Sequence, residues 1–350
     1  MDNTGRILMV NTLKLLTSTI AVSAALMSTT TSAAESTLDK VLSQGYLTCG
    51  VSTGIPGFSN PDSKGEWKGI DVEYCKALAS AVLGDKTKVK FVPLTAKERF
   101  TALQSGEIDV LSRNTTWTLQ RDTALGLNFV GVTYYDGQGF MVKKDLGIKS
   151  AKELDGASVC VQSGTTTELN LADYFRKSGM SYKPVVFDTS AQTAKGFDSG
   201  RCDALTSDQS QLYALRINLK DPSSATVLPD IISKEPLGPV VRQNDDKWFN
   251  VAKWTLFAMI NAEEYGITSK NVDQMLMSSD PNVKRILGKD GPKGTGLGIR
   301  NDWGYQIVKQ VGNYGEVFEN TVGTGSPLQI SRGVNSLWNA GGFMYAPPLR

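Results

Sequence analysis

The chain has 350 residues, with 37 Lys plus Arg against 35 Asp plus Glu and a formal net charge of +2; no dense basic block is present, which argues against a nucleic-acid partner. It has no histidine, so the usual general base, the Ser–His and Cys–His nucleophilic pairs and the commonest metal ligand are all missing, and most familiar hydrolytic designs go with them. The roughly 315 residues that follow an N-terminal leader exceed the usual size of one core, so two lobes are expected.

In chain order, the first 34 residues have the layout of a secretory signal. Arg6 and Lys14 give a positive start, residues 15–27 are apolar, and Ser32 and Ala34 precede a cut before Glu35. The apolar run is too short, and too rich in Ser and Thr, for a membrane span, so a periplasmic location is expected. Next come a strand over 47–51, a helix over 71–83 stopped by Gly84, and a strand over 89–94. The capping-box pair Thr95 and Glu98 opens a helix ending near Gly106, before a strand over 108–111.

The same order then repeats: a strand over 157–161, a capping-box pair at Thr165 and Glu168 opening a helix to Gly179, and strands over 185–187 and 204–206. Residues 105–112 (SGEIDVLS) and 199–206 (SGRCDALT) are near copies at equivalent places, so two related lobes are the simplest account. Extended segments over 138–143 and 238–242 are expected to be the hinge crossovers, and a helix over 245–264 returns the chain to the first lobe. Helices near 271–277, 282–287 and 303–311 lead into an aromatic, Gly- and Pro-rich tail, too apolar for a loose linker.

Cys49, Cys75, Cys160 and Cys202 include no CxxC pair, which leaves a zinc knuckle or redox motif without support. An even number in an oxidising compartment points to two disulfides. Of the three possible pairings, Cys49 with Cys75 and Cys160 with Cys202 keeps each bond inside one lobe.

A ligand held between two such lobes meets the carboxyl ends of their strands, here residues 52–58, 113–121, 162–166 and 207–209. A free amino acid needs a fork of donors for its carboxylate and an anion for its ammonium. Arg121 supplies a guanidinium, Thr116 a hydroxyl and an N–H, and the helix beginning near Thr165 offers free N–H groups, notably that of Thr166. Asp208 takes the ammonium, and Asn114 stands beside Thr116. The plainer alternatives are a surface ion pair of Arg121 with Asp122 and helix capping alone for Thr116, Thr166 and Asp208; Trp67 and Trp117 are read as packing residues.

The run Gly69-Ile70-Asp71-Val72-Glu73-Tyr74, continuing through Leu78, resembles the signature of the family-3 bacterial extracellular solute-binding proteins, the polar amino-acid receptors of ABC importers. Tyr74 departs from it, since an aliphatic residue or Phe is usual there. The Thr116-to-Arg121 spacing, the 164–166 turn and the 203–208 stretch are similar to that family's carboxylate and ammonium contacts, and the resemblance spans roughly residues 40–265. The tail, with Asn301-Asp302-Trp303 and Gly312-Asn313-Tyr314-Gly315-Glu316, resembles the longer branch that includes the general L-amino-acid-binding proteins. That branch implies Glu, Gln, Asp or Asn as ligand. The resemblance also implies that Arg99 reads a distal carboxylate or amide, with Arg113 assisting and Ser52 and Gln162 lining the pocket; the bland alternative for Arg99 is a solvated helix face. The aromatic platform of cationic-amino-acid receptors is missing at Ile55 and Ala96, which argues against Lys and Arg as ligands.

These readings give an α/β, two-lobed periplasmic-binding-protein (type II) fold with a hinge and a C-terminal extension packed on the lobes. The expected divisions are a signal at 1–34, lobe one at 35–139, an inserted lobe two at 140–238, a return at 239–268 and the extension at 269–350. The expected function is capture of a free polar L-amino acid by hinge closure, as a monomer with no cofactor or metal, and delivery to the membrane permease of an ABC importer. A small dehydratase or lyase on the same scaffold would depend on carboxylates, Lys or Tyr, with Asp208 the obvious acid; a ligand-presenting sensor component is the other alternative.

Overall fold

The computed structural model describes residues 36–350; the expected export signal and its cut before Glu35 lie outside the described residues. Helix α1 (Thr37–Gln44) leads into β1 (Leu47–Ser52), the short hairpin of β2 (Asn60–Pro61) and β3 (Trp67–Lys68), and α2 (Ile70–Leu83). Lobe one continues with β4 (Val89–Leu94), α3 (Arg99–Gln104), β5 (Val110–Leu111), α4 (Leu119–Ala124) and β6 (Leu127–Phe129), and β7 (Tyr134–Asp136) leads out of it. Lobe two holds β8 (Gln138–Lys143), β9 (Ser158–Gln162), α5 (Thr166–Lys177), β10 (Lys183–Phe187), α6 (Ser190–Asp198), β11 (Ala204–Asp208), α7 (Gln209–Arg216) and β12 (Ala225–Val227). Strand β13 (Glu235–Leu237) leads back to β14 (Val240–Arg242) and α8 (Asp246–Glu264), and the extension contains α9 (Val272–Met275), α10 (Pro281–Ile286), α11 (Trp303–Gln310) and α12 (Tyr314–Thr321).

Each lobe is built on a five-stranded sheet, in the order β4-β1-β5-β14-β6 in lobe one and β10-β9-β11-β8-β12 in lobe two. In both, the second strand of that order, β1 or β9, has two parallel neighbours, and one of these, β5 or β11, pairs next with an antiparallel strand. The copied segments do the same work in both lobes. Asp109 accepts the Thr48 N–H at the start of β1, and Asp203 accepts the Ser158 N–H at the start of β9, each at 2.8 Å. A carboxylate thus satisfies an early backbone donor of β1 and of β9, which is why Asp recurs there. Disulfides join Cys49 to Cys75 and Cys160 to Cys202, with Cα separations of 6.4 and 5.7 Å, so they tie β1 and β9 each to a neighbouring segment of its own lobe.

The hinge differs from the sequence expectation. The crossing strands are β7 and β13, an antiparallel pair in which Glu235 faces Asp136 and Leu237 faces Tyr134. Segments 138–143 and 238–242 belong instead to the main sheets, as β8 and β14. The reason is burial: Phe140, Met141 and Val142 on β8, like Val240 and Val241 on β14, are fully covered on both faces, which a strand bridging two lobes cannot be.

Helix α2 is buried almost all round, because β1 covers one side and α8, α11 and α12 cover others. Tyr74 is buried among them and donates its hydroxyl to the Ala252 carbonyl at 2.9 Å, so the departure from the signature gains a partner on α8. The extension packs on lobe one as expected: Trp303, Ile307, Tyr314, Val317 and Phe318 join its core. It also reaches the hinge. Asn335 accepts the Tyr135 N–H at 2.7 Å and donates to the Tyr135 carbonyl at 3.0 Å, and Tyr314 donates to the Thr133 carbonyl at 2.8 Å. Helix α12, opened by an Asn313–Glu316 capping box, has no counterpart in the sequence reading.

Candidate ligand-binding site

Residues at or beyond the ends of β4, β5, β9 and β11 line one small cavity between the lobes. Lobe one contributes Arg99, Arg113, Asn114 and Thr116; lobe two contributes Gln162, Thr165, Thr166, Thr167, Ser207, Asp208 and Gln211. Its volume of about 20 Å³ is the room of about one water, so an amino acid can enter only when the lobes part. The lobes touch around it. Asn114 Nδ2 donates to Gln211 Oε1 at 3.0 Å, the Thr116 and Thr166 hydroxyls lie 3.2 Å apart, and Lys97 meets Asp188 at 2.8 Å on the rim.

The local folding rules out the plainer alternatives. Arg99 is 3% exposed, not on a solvated face; it follows a capping pair in which the Thr95 N–H donates to Glu98 at 3.0 Å and the Glu98 N–H to Thr95 at 3.3 Å. Thr118, not Thr116, caps α4. Thr165, not Thr166, caps α5 by accepting the Glu168 N–H, which leaves Thr166 and Thr167 with the unsatisfied first-turn N–H groups. Asp208 precedes α7 but its side chain makes no capping bond. Arg121 is buried and makes no ion pair with Asp122; its Nη1 donates to the Thr116 carbonyl at 2.8 Å. Asn114 holds a left-handed backbone at φ +32°, and its N–H donates to Asp71 of the signature at 2.9 Å. Trp117 stacks on Phe129 with centroids 5.4 Å apart, and Trp67 packs near Phe91.

Charge is divided across this space. On the lobe-one side, burial pulls the Arg113 and Arg121 guanidinium pKa values down to about 10, with Asp71 opposing the change at Arg113 and Glu235 and Asp208 opposing it at Arg121. Arg99 is pulled well below the ordinary arginine value by burial and by the neighbouring Arg121 and Arg113. On the other side, burial and the nearby Asp136 and Glu235 push Asp208 well above the usual carboxylate range, and burial takes Asp136 up to about 6. Among the described residues none of these three arginines or three acids forms an ion pair. Buried charge left unpaired costs several kcal/mol and marks functional sites. Four buried side-chain polar atoms lack a partner among the described residues, and three of them, Arg99 Nε, Asn114 Oδ1 and Asp208 Oδ1, belong to residues lining this cavity.

Two expected residues are not among those lining the cavity: Arg121, whose Nη1 donates to the Thr116 carbonyl, and Ser52, which accepts the Gly54 N–H at 3.3 Å. Gln211, Thr167 and Glu235 are absent from the sequence reading, and Ser207 enters it only as part of the 207–209 turn. Gln211 sits one helical turn after Asp208, a spacing that could have found it; nothing local marks Glu235. A larger groove of about 990 Å³ lies between the extension, the hinge strands and lobe two, but none of the unpartnered polar atoms borders it.

The family described as bacterial extracellular solute-binding proteins, family 3, matches residues 47–271. The general L-amino acid-binding periplasmic protein AapJ of Rhizobium johnstonii is 60% identical over 333 residues, covering 94% of this chain and 98% of its own. The glutamate/glutamine/aspartate/asparagine-binding protein BztA of Rhodobacter capsulatus is 51% identical over 319 residues, covering 91% and 94%. A solved ABC transporter/periplasmic binding protein from Brucella ovis with glutathione bound is 58% identical, with a TM-score of 0.89 over 90% of this chain and 100% of that one. With its signature run on α2, its paired lobes and relatives matched nearly end to end, the chain belongs to the family-3 bacterial extracellular solute-binding proteins.

Proposed function

We propose that this chain captures a free polar L-amino acid in the interlobe cleft and delivers it to the permease of an ABC importer. Arg121, Thr116 and the first-turn N–H of Thr166 hold the α-carboxylate, and Asp208 with Asn114 Oδ1 holds the ammonium. Arg99, with Arg113 and Gln162 beside it, meets the polar end of the side chain. The observation that carries this reading is the set of buried, unpaired guanidiniums facing buried, unpaired carboxylates across a seam between two lobes. A zwitterion supplies both missing counter-charges, so closure and binding become one event. The names of AapJ and BztA support the ligand class, with Glu, Gln, Asp and Asn foremost, and an extracytoplasmic location. Residues 1–34 are then the export signal, and the protein works as a monomer. No covalent step is required, and the relatives are binding proteins rather than enzymes.

A second ligand is favoured by the Brucella structure: the γ-glutamyl end of glutathione carries the α-carboxylate and α-ammonium of a free amino acid and suits the same clamp. A thermal-shift panel of the amino acids and glutathione tests both. A ligand at 100 times its Kd stabilises the native state by about 2.7 kcal/mol, a readable shift. Arg121→Ala should abolish every response, whereas Arg99→Ala should change the order of preference. A silent panel, or full binding in Arg121→Ala, would overturn the assignment.

A further inference from the structure

Glu235 has no part in the clamp just described, yet it is the point where hinge and clamp meet. It lies on the crossing strand β13, is 1% exposed, and has no ion-pair partner among the described residues. Its Oε2 accepts the Thr166 hydroxyl at 2.9 Å; its Oε1 accepts Asn170 Nδ2 at 2.7 Å and the Ser233 hydroxyl at 2.6 Å. Thr166 and Asn170 are four residues apart, hence on one face of the first turns of α5. One carboxylate therefore fastens the start of that helix to the hinge with both oxygens.

The bond directions follow from the donors present. A carboxylate only accepts, so the single proton of the Thr166 hydroxyl is committed to Glu235. In the 3.2 Å contact across the cleft Thr116 must then be the donor, giving a chain from the Thr116 hydroxyl to Thr166 and on to Glu235. The chain runs from lobe one through lobe two into the strand that bends between them. When a ligand carboxylate claims the Thr116 hydroxyl, Thr166 keeps its own on Glu235 and has its backbone N–H to offer.

We propose that Glu235 is a positioning residue that registers the amino terminus of α5 to the hinge, so that the carboxylate-binding N–H groups reach the cleft only as β13 swings the lobes together. It acts through Thr166 and Asn170, not by touching the ligand, and thereby sets how long the closed form persists. The inference rests on the proposed reading of the carboxylate end.

The test uses the full mature chain with L-glutamine and L-glutamate as probes, followed by calorimetry and stopped-flow fluorescence. Glu235→Gln cannot accept at both positions with the same charge, and about a tenfold weaker binding is expected, carried mainly by faster dissociation. The reciprocal pair Glu235→Gln with Asn170→Asp restores a carboxylate-to-amide bond, and should recover at least half of that loss on a logarithmic scale. A residue with only a structural role would lower melting temperature without this rescue of the dissociation rate. If Glu235→Gln fails to fold, Asn170→Ala removes one arm of the fastening and should raise the dissociation rate in the same sense. Unchanged dissociation in whichever of the two folds, or loss without rescue, overturns the proposal. The two readings fail separately: binding lost in Arg121→Ala but untouched in Glu235→Gln sinks only the role of Glu235, whereas a wild-type protein deaf to both probes sinks both.

Discussion

Asp208 is where burial and charge conflict most sharply in the cleft. Its carboxyl is pushed well above the usual range by burial and by the acids Asp136 and Glu235, and only Arg99 and Arg121 oppose the shift. An ammonium needs that group ionised, so affinity should fall as pH drops through the raised value, and binding in that range should expel a proton. Titration calorimetry in two buffers of different ionisation enthalpy measures this directly; equal heats would remove Asp208 from the ammonium site. Stability without ligand runs the other way. Burial takes Asp71 up to about 7 and Asp136 to about 6, so their contribution is full below about pH 4, where an unfolded Asp titrates, and is lost as pH rises through 6 to 7. The free protein should therefore melt higher at pH 5 than at pH 7.5, with a smaller difference in Asp71→Asn. At this scale the place of Thr116, Thr166 and Asp208 beside the cavity was legible, because each sits at a punctuated strand-to-helix turn. Glu235 was not, since its partners on α5 lie 65 and 69 residues away.

Helix α5 shows how one element serves fold and cleft together. Gly164 before it has φ +73°, and a Cβ there would stand 3.0 Å from Lys97 Cγ of the opposite lobe; Gly179 after it has φ +67° and no neighbour within 4 Å. Alanine at either position should cost about 1 kcal/mol of stability from left-handed strain. Only Gly164→Ala adds a clash that exists when the lobes are together, so it alone should weaken ligand binding, by several-fold beyond what Gly179→Ala does. Paired urea and calorimetric titrations separate the two, and equal affinities would show that the rim contact does not limit closure. Both capping pairs were readable from Thr and Glu three residues apart. In α5 the reciprocal arm differs: Glu168 accepts from the Gly164 N–H at 2.9 Å, which tightens the turn that faces the cleft.

The extension links the whole molecule to its hinge. It completes the cover of α2 and α8 in lobe one, and through Asn335 it holds both backbone groups of Tyr135 on the outer edge of β7. Asn335→Ala leaves that donor and acceptor without their side-chain partner and should lower stability by about 1–3 kcal/mol. The urea midpoint reads the loss, and the hinge strand should exchange its amide hydrogens faster. An unaltered exchange rate at Tyr135 would mean that the extension covers lobe one without bracing the crossover.

Composition, helix punctuation and the duplicated SGxxDxL run determined by themselves that two related α/β lobes exist, where their strands end and which side chains stand at those ends. Such features are local, each set by neighbours a few residues apart. The cysteine pairing also followed, because each pair stays inside one lobe. Only the tertiary structure decided which strands cross between the lobes, that Arg99 is buried, and that Glu235 ties hinge to helix. Those depend on which surfaces are covered from both sides and on hydrogen bonds between residues far apart in the chain, and a one-dimensional pattern carries no record of either.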